Sequence, residues 1–218
     1  MEKTLNIKIR EDVDLIKATE YMSFLDCGAS KSAFKKDDLC YKLPIGYEEL
    51  NEYSFTKSCE YPTSIKDFND FINNTVAYYN EAMVWSIGQI IFEIIIWENL
   101  KELEKEGYDI SGFAAIKDYY IDKNGIPVII QEYIETPEEY HNKDYSSVDF
   151  EDQNKDVLDA LDERGFTLVD IRRGNMAYNQ EGKLKLFDFG ISRGSSIYDY
   201  DPYDEYNRYN STYYSDEC

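Results

Sequence analysis

"TLVDIRRGNMAYNQEGKLKLFDFG", residues 167–190, sets Asp170 five residues before Asn175 and eighteen before Asp188. Between Asn175 and Asp188 the chain reads as a strand, "MAYN", a turn, "QEG", and a second strand, "KLKLFD". A hairpin that tight returns Asp188 to the side of Asn175, so two carboxylates and an amide meet on one rim. Oxygen donors of this kind suit a hard divalent cation such as Mg²⁺, together with phosphate oxygens. One carboxylate stays free to accept a hydroxyl proton, and that division of labour is what phosphoryl transfer requires. Taken singly, "DFG" and Asp-x-x-x-x-Asn are weak signals. Their order and separation make the combination a strong one.

The rest of the composition fits a folded protein with an acidic surface. The 218 residues suffice for one ordinary domain or two small lobes sharing a cleft. Hydrophobic residues make up 43%, with 21 tyrosines among them, which argues against global disorder. A formal net charge of −21 argues against a nucleic-acid partner, whose phosphates demand clustered Lys and Arg, and against an anionic membrane surface. Cys27, Cys40, Cys59 and Cys218 show no C-x-x-C spacing and His141 is the single histidine, so a Cys/His zinc site is not expected. This cysteine usage, and the charged start "MEKTLNIKIRED", imply a reducing, cytoplasmic setting without a secretory signal. The most apolar run, Val84 to Trp97, contains Gln89 and Glu93 and is too short and polar for a membrane span.

Along the chain, residues 5–42 read as short strands ("LNIKI", "YMSFLD", "SAFKK", "LCYKLP") with "KKDD" at 35–38 as a hairpin turn. Residues 44–74 read as a polar insertion with a short helix. A long apolar helix follows over about 75–105, carrying Trp85 and Trp97 into the core and ending near Gly107. The strands "GFAAIKDYYID" and "PVIIQEYIE" come next, joined by "KNG". A polar connection leads to an amphipathic helix over 149–164, with Val157, Leu158 and Leu161 on one side. The last residues, 195–218, form a low-complexity Tyr/Asp/Asn tail with seven tyrosines from Tyr198 to Tyr214.

On these residues the chain resembles the protein-kinase superfamily, over about residues 20–194. Lys42 in "LCYKLP" fills the place of the V-A-I-K lysine. Glu93, an acid in the apolar helix with Gln89 one turn before it, resembles the glutamate that pairs with that lysine. "DCGASKSAF" stands where the family keeps G-x-G-x-x-G-x-V, with Gly28 retained, Asp26 and Lys31 at the first and third glycine places, and Ala33 at the valine. The resemblance implies phosphate contacts from the backbone near Gly28 and Ser30. It also makes Gln131 a gatekeeper and Glu132, Tyr133 and Ile134 an adenine-binding hinge. Asp170 becomes the catalytic base, Asn175 and Asp188 the ligands of Mg²⁺ or Mn²⁺, and Arg172, or Arg173 in its stead, a γ-phosphate contact. The implied fold is α+β and two-lobed. Residues 1–134 form an antiparallel β-sheet N-lobe with the long helix and the 44–74 insertion, and 135–194 form a truncated C-lobe.

The departures shape the functional expectation. Leu168-Val169-Asp170 replaces H-R-D, no A-P-E follows Asp188, and few residues remain for a helical lobe. Compression of this kind is familiar in kinase-like proteins of phages, large viruses and secreted bacterial effectors. The expected activity is ATP- and Mg²⁺-dependent phosphorylation of protein hydroxyls, with the tail tyrosines as candidate autophosphorylation sites and a cytoplasmic, or host-cytoplasmic, location. Two alternatives stand beside it. One is a pseudokinase that binds nucleotide and acts as an interaction module, favoured by the poor glycine loop. The other is a small-molecule kinase sharing the Asp-x-x-x-x-Asn loop, disfavoured by Phe189-Gly190 and the small helical region.

Overall fold

A computed structural model describes residues 4–28, 30–48, 60–64, 67, 81–190 and 192. In chain order its main elements are β1 (Thr4–Asn6), β2 (Ile9–Arg10), α1 (Leu15–Thr19), β3 (Ser23–Cys27), β4 (Lys31–Lys36), β5 (Leu39–Pro44) and β6 (Glu60–Pro62). The chain continues with the long helix α2 (Glu81–Glu106), β7 (Ile116–Asp122), β8 (Pro127–Glu132), α3 (Ser147–Gln153), α4 (Lys155–Glu163), β9 (Met176–Tyr178) and β10 (Leu184–Leu186). Six strands form one sheet in the order β2-β7-β8-β5-β4-β3, antiparallel except for β2 beside β7. The pairs β1–β6 and β9–β10 form separate antiparallel ribbons. A mostly antiparallel sheet with helices packed beside it makes the fold α+β.

The long helix explains itself from its sequence. Ile87, Ile90, Ile91, Ile94, Ile95 and Ile96 are all fully buried, and together they cover more than one face. A helix that is apolar nearly all round is stable only in the interior. It packs against β5 and β8 on one side and α4 on the other, and each buried isoleucine contributes about 1.5–3 kcal/mol. From α4, Val157, Ala160 and Leu161 face inward. Gly165, at φ +89°, then turns the chain out of the helix and seats the Phe166 ring 6.0 Å from that of Phe92.

The β4–β5 hairpin decides which side chains share a sheet face. Its turn is Asp37-Asp38, with Asp37 at φ 57°, a left-handed conformation that aspartate tolerates. The resulting register sets Ala33 opposite Lys42 and Lys31 opposite Pro44. Because side chains alternate faces along a strand, Lys31, Ala33 and Lys42 lie on the same face.

Several local expectations are corrected. The helix expected over 149–164 is two helices, α3 and α4, broken at Asn154. The Asn154 amide donates to the Phe150 carbonyl at 2.8 Å, and its oxygen lies so close to Gly112 that a Cβ there would approach within 1.9 Å. The run "LNIKI" divides into β1 and β2, which join different sheets. Helix α1, capped by Asp14 on the Lys17 amide, is an element that the strand-and-turn reading of residues 5–42 lacks. Cys40 is a free thiol. Most of the 44–74 insertion and the tail from 195 onward lie outside the described residues. Among the described residues no helix is long and apolar enough to cross a membrane.

Candidate active site

Four charged side chains meet between the sheet and the long helix. Glu93 is fully buried, and its two oxygens receive different lysines: Lys42 Nζ at 2.7 Å on Oε1 and Lys31 Nζ at 2.5 Å on Oε2. Lys31 also reaches Asp188 Oδ1 at 2.5 Å, while Lys42 donates to the carbonyl of Phe187. Both lysines are 6% exposed, whereas the Asp188 side chain is 33% exposed and forms the open side of the cluster. Burying a lone carboxylate or ammonium is costly, but here two cations face two anions with hydrogen bonds between them. Burial pushes the Asp188 carboxyl up, yet Lys31 and Lys42 outweigh it and hold it down at about 2. Burial likewise acts against the charged form of Lys31, and Asp188 with Glu93 overcomes it, raising the ammonium above its ordinary value.

The Asp-Phe-Gly segment is shaped to reach this cluster. Leu186 exchanges backbone hydrogen bonds with the 112–114 segment, donating to the Gly112 carbonyl at 2.9 Å and accepting from the Ala114 amide at 2.8 Å. Phe189 is buried edge-on against Phe113, ring centroids 5.7 Å apart. Gly190 lies directly on the long helix. A Cβ at that position would stand 2.8 Å from the Gln89 carbonyl, 3.1 Å from Lys31 Nζ and 3.3 Å from Glu93 Cβ, so the close approach requires glycine.

The second half of the site is the 168–175 loop. Asn175, 6% exposed, donates its amide to the Asp170 carbonyl at 2.9 Å and to Asp170 Oδ2 at 2.8 Å. Its backbone carbonyl accepts from Phe187 N at 2.9 Å, which brings Asn175 beside the residue preceding Asp188. Leu168 and Ser192 form an antiparallel bridge that ties the loop to the chain beyond Gly190. Arg172 Nε pairs with Asp170 Oδ1 at 2.9 Å, and the largely exposed Arg173 pairs instead with Asp144 at 3.2 Å. Burial raises the Asp170 carboxyl above its ordinary value; Arg172 and the Asn175 hydrogen bond counter this, and Asp188 adds to it. A carboxylate raised in this way is a better proton acceptor.

The donor chemistry around Asp188 and Asn175 fits a hard cation. Since the Asn175 nitrogen is committed to Asp170, its oxygen remains for a ligand; Asp188 has a second oxygen beyond the one that Lys31 holds, its carboxylate also accepting from the Gly190 amide. Among the described residues no group of three or more His, Cys, Asp or Glu side chains is arranged for a metal. Phosphate oxygens would have to complete the shell, as they do for Mg²⁺ at phosphoryl-transfer sites.

The residues expected to hold nucleotide are placed less uniformly. Gln131 is buried and donates to the Ala114 carbonyl at 3.0 Å. The Glu132 carboxylate accepts from the Ala115 amide at 2.8 Å and from Lys185. The Tyr133 amide donates to the Asp38 carbonyl, and its ring carries Lys35 4.0 Å from the centroid. Tyr133 and Ile134 line an open cavity of about 680 Å³ with Thr136, Pro137, His141 and Gln180, and none of the four clustered charges lines it. In the 28–31 turn, the Gly28 amide closes on the Lys31 carbonyl at 2.9 Å, while the Ser30 carbonyl accepts from Ser86 Oγ on the long helix. The Gly28 amide is therefore engaged within the turn.

Lys31 is the residue that sequence reasoning passes over. At a glycine place of the family pattern it reads as a defect. The signal is nonetheless present, because a turn at 37–38 fixes the pairing and puts 31, 33 and 42 on one face.

No protein-family model matches the chain, and no curated protein matches it. Among solved structures it is similar to the bifunctional kinase-methyltransferase WbdD, at a TM-score of 0.40 and 13% identity. The match covers 74% of this chain and 29% of that one.

Proposed function

We propose that the chain is an ATP- and Mg²⁺-dependent phosphotransferase of minimal protein-kinase-like form, acting on protein hydroxyls. One observation carries the reading: the Lys42–Glu93 pair, Asp188 and the Asp170–Asn175 loop, separated by up to 146 residues in sequence, lie at one place in the fold. In this reading the sheet with the long helix is the nucleotide-binding lobe, and β9–β10 with α3 and α4 is the reduced second lobe. Asn175 and Asp188 would hold the cation, which when bound neutralises phosphate charge.

The chain's own groups do the remainder. Asp170, fixed by Asn175 and Arg172, orients the acceptor hydroxyl and takes its proton as the oxygen bonds to the γ-phosphorus and the β–γ bridging bond breaks to release ADP. Arg172, two residues beyond Asp170, largely exposed and paired with it, is the candidate γ-phosphate contact. The carbonyls of Glu132 and Tyr133 and the backbone of Ile134 are the candidate adenine contacts, the Tyr133 amide being engaged by Asp38. The tail tyrosines are candidate acceptors within the chain itself.

A second reading, a nucleotide-binding interaction module without transfer, is favoured by the Lys31–Asp188 ion pair, which occupies one oxygen of the proposed metal carboxylate. Transfer of radiolabelled γ-phosphate from ATP with Mg²⁺ or Mn²⁺, wild type against Asp188→Ala, separates the two. Asp188-dependent label supports the transferase, and mapping it shows whether the tail is modified. Nucleotide binding with no label supports the module. Neither binding nor label sinks both.

A further inference from the structure

Two lysines share Glu93, and they are not equivalent. Lys42 is tied to groups that belong permanently to the protein frame: Glu93 Oε1 on the long helix and the Phe187 backbone carbonyl. Lys31 is tied to Glu93 Oε2 and to Asp188, the one member of the cluster with a third of its side chain open to solvent. As it stands, the cluster balances two positive against two negative charges. If Asp188 is given to a cation arriving with a nucleotide, the Lys42 contacts are untouched, but Lys31 loses half of its countercharge. A buried ammonium in that position needs a new anion.

The surroundings are built to hold Lys31 in place. It begins β4 immediately after a turn anchored to the long helix, where the Ser86 hydroxyl donates to the Ser30 carbonyl and accepts from the Ile45 amide at 2.7 Å. On the other side Gly190 leaves the space that Lys31 Nζ uses, and any side chain there would begin 3.1 Å from it. Diagonal to Lys42 across the β4–β5 register, Lys31 projects from the same sheet face and differs in which carboxylate it meets.

We propose that Lys31 is the lysine that contacts the nucleotide phosphates, exchanging Asp188 for a phosphate oxygen, and that Lys42 is a positioning residue that fixes Glu93 and the Phe187 carbonyl. This rests on the nucleotide-binding reading and reassigns the phosphate contact within it.

The direct test is an acyl phosphate of ATP, whose activated carbonyl is attacked by whichever lysine amine lies at the phosphates. An amide forms on the lysine and ATP leaves. Lys35 and Lys36 lie between the two candidates, so tryptic peptides distinguish them by mass spectrometry. On the wild-type full chain we expect acylation of Lys31 that excess ATP suppresses; ATP-suppressible acylation confined to Lys42 overturns the assignment.

Binding of a fluorescent ADP analogue gives the second arm. Lys31→Met should weaken it about tenfold or more, the loss of one charge-assisted hydrogen bond, with Lys31→Arg recovering part of the loss. Lys42→Met should lower the thermal midpoint more than it lowers affinity. Unchanged affinity in Lys31→Met with lost affinity in a folded Lys42→Met also overturns the proposal. Should Lys31→Met not fold, the acylation site on the wild type decides. Failure of the wild type to bind the analogue or take the label instead removes the nucleotide reading itself.

Discussion

The two halves of the candidate site are held by different physics. The Lys31–Lys42–Glu93–Asp188 cluster is nearly dry, and its geometry is enforced by sheet register and by a helix that has no other place to go. The Asp170–Asn175 loop is more open. It is held by two side-chain hydrogen bonds, one backbone bond from Phe187 and the Leu168–Ser192 bridge. In the first half, charge is bound up with the stability of the fold. In the second, charge is left available for chemistry.

That contrast is sharpest at Glu93. Replacing it with alanine leaves Lys42 buried without its carboxylate, and breaking a buried pair from one side costs about 3–5 kcal/mol. Urea unfolding of Glu93→Ala measures this directly, and a loss below about 1 kcal/mol would show that the cluster is solvated after all. Asp170→Asn should do the reverse. If the proposed transfer with Asp170 as its base holds, activity should fall about 100-fold or more, while stability shifts by less than about 1 kcal/mol. Single-turnover rates and unfolding on one preparation check both halves of that statement. A large stability loss would place Asp170 with the first group.

Gly190→Ala probes the seam where the hairpin meets the long helix. Its methyl group would meet the Gln89 backbone carbonyl at 2.8 Å, which cannot rotate away, and overpacking of this kind costs about 1–3 kcal/mol. Thermal unfolding of the variant tests this, and an unchanged midpoint would mean that the seam is loose.

The smallest effect is in pH dependence, where the two aspartates have opposite signs. The Asp188 carboxyl sits at about 2 in the fold against an ordinary 3.8. An acid lowered by folding stabilises the native state above its unfolded value and loses that contribution as pH falls through the folded one. Wild type should therefore lose stability between about pH 4 and pH 2, and Asp188→Asn should show a flatter curve there. Asp170 is raised by burial, so its ionisation opposes folding and protonation relieves the penalty as pH falls. Asp170→Asn removes that relief. Urea midpoints from about pH 7 to about pH 2 for both variants read the two slopes, and slopes of the same sign would erase the comparison.

How much of this was legible depended on the range of the interaction. The β9–β10 hairpin, the long apolar helix and the β7–β8 pair follow from period, turn residues and hydrophobic run length, which are local quantities. The meeting of Lys42 with Glu93 was readable because an acid in so apolar a helix needs a partner. The break at Asn154 was not, since it depends on a contact with Gly112, 42 residues away in sequence. Nor was the burial of Lys31, although the turn at Asp37-Asp38 contained its parity. By itself the sequence determined the β9–β10 hairpin, the long helix and the β7–β8 pair, and which acids and bases exist to be paired. Only the tertiary structure decided that two lysines share one glutamate and that Asp188 is the open corner of that group. The reason is physical: a buried charge takes whichever counterion the packing of distant elements brings within about 3 Å, and no local pattern encodes that distance.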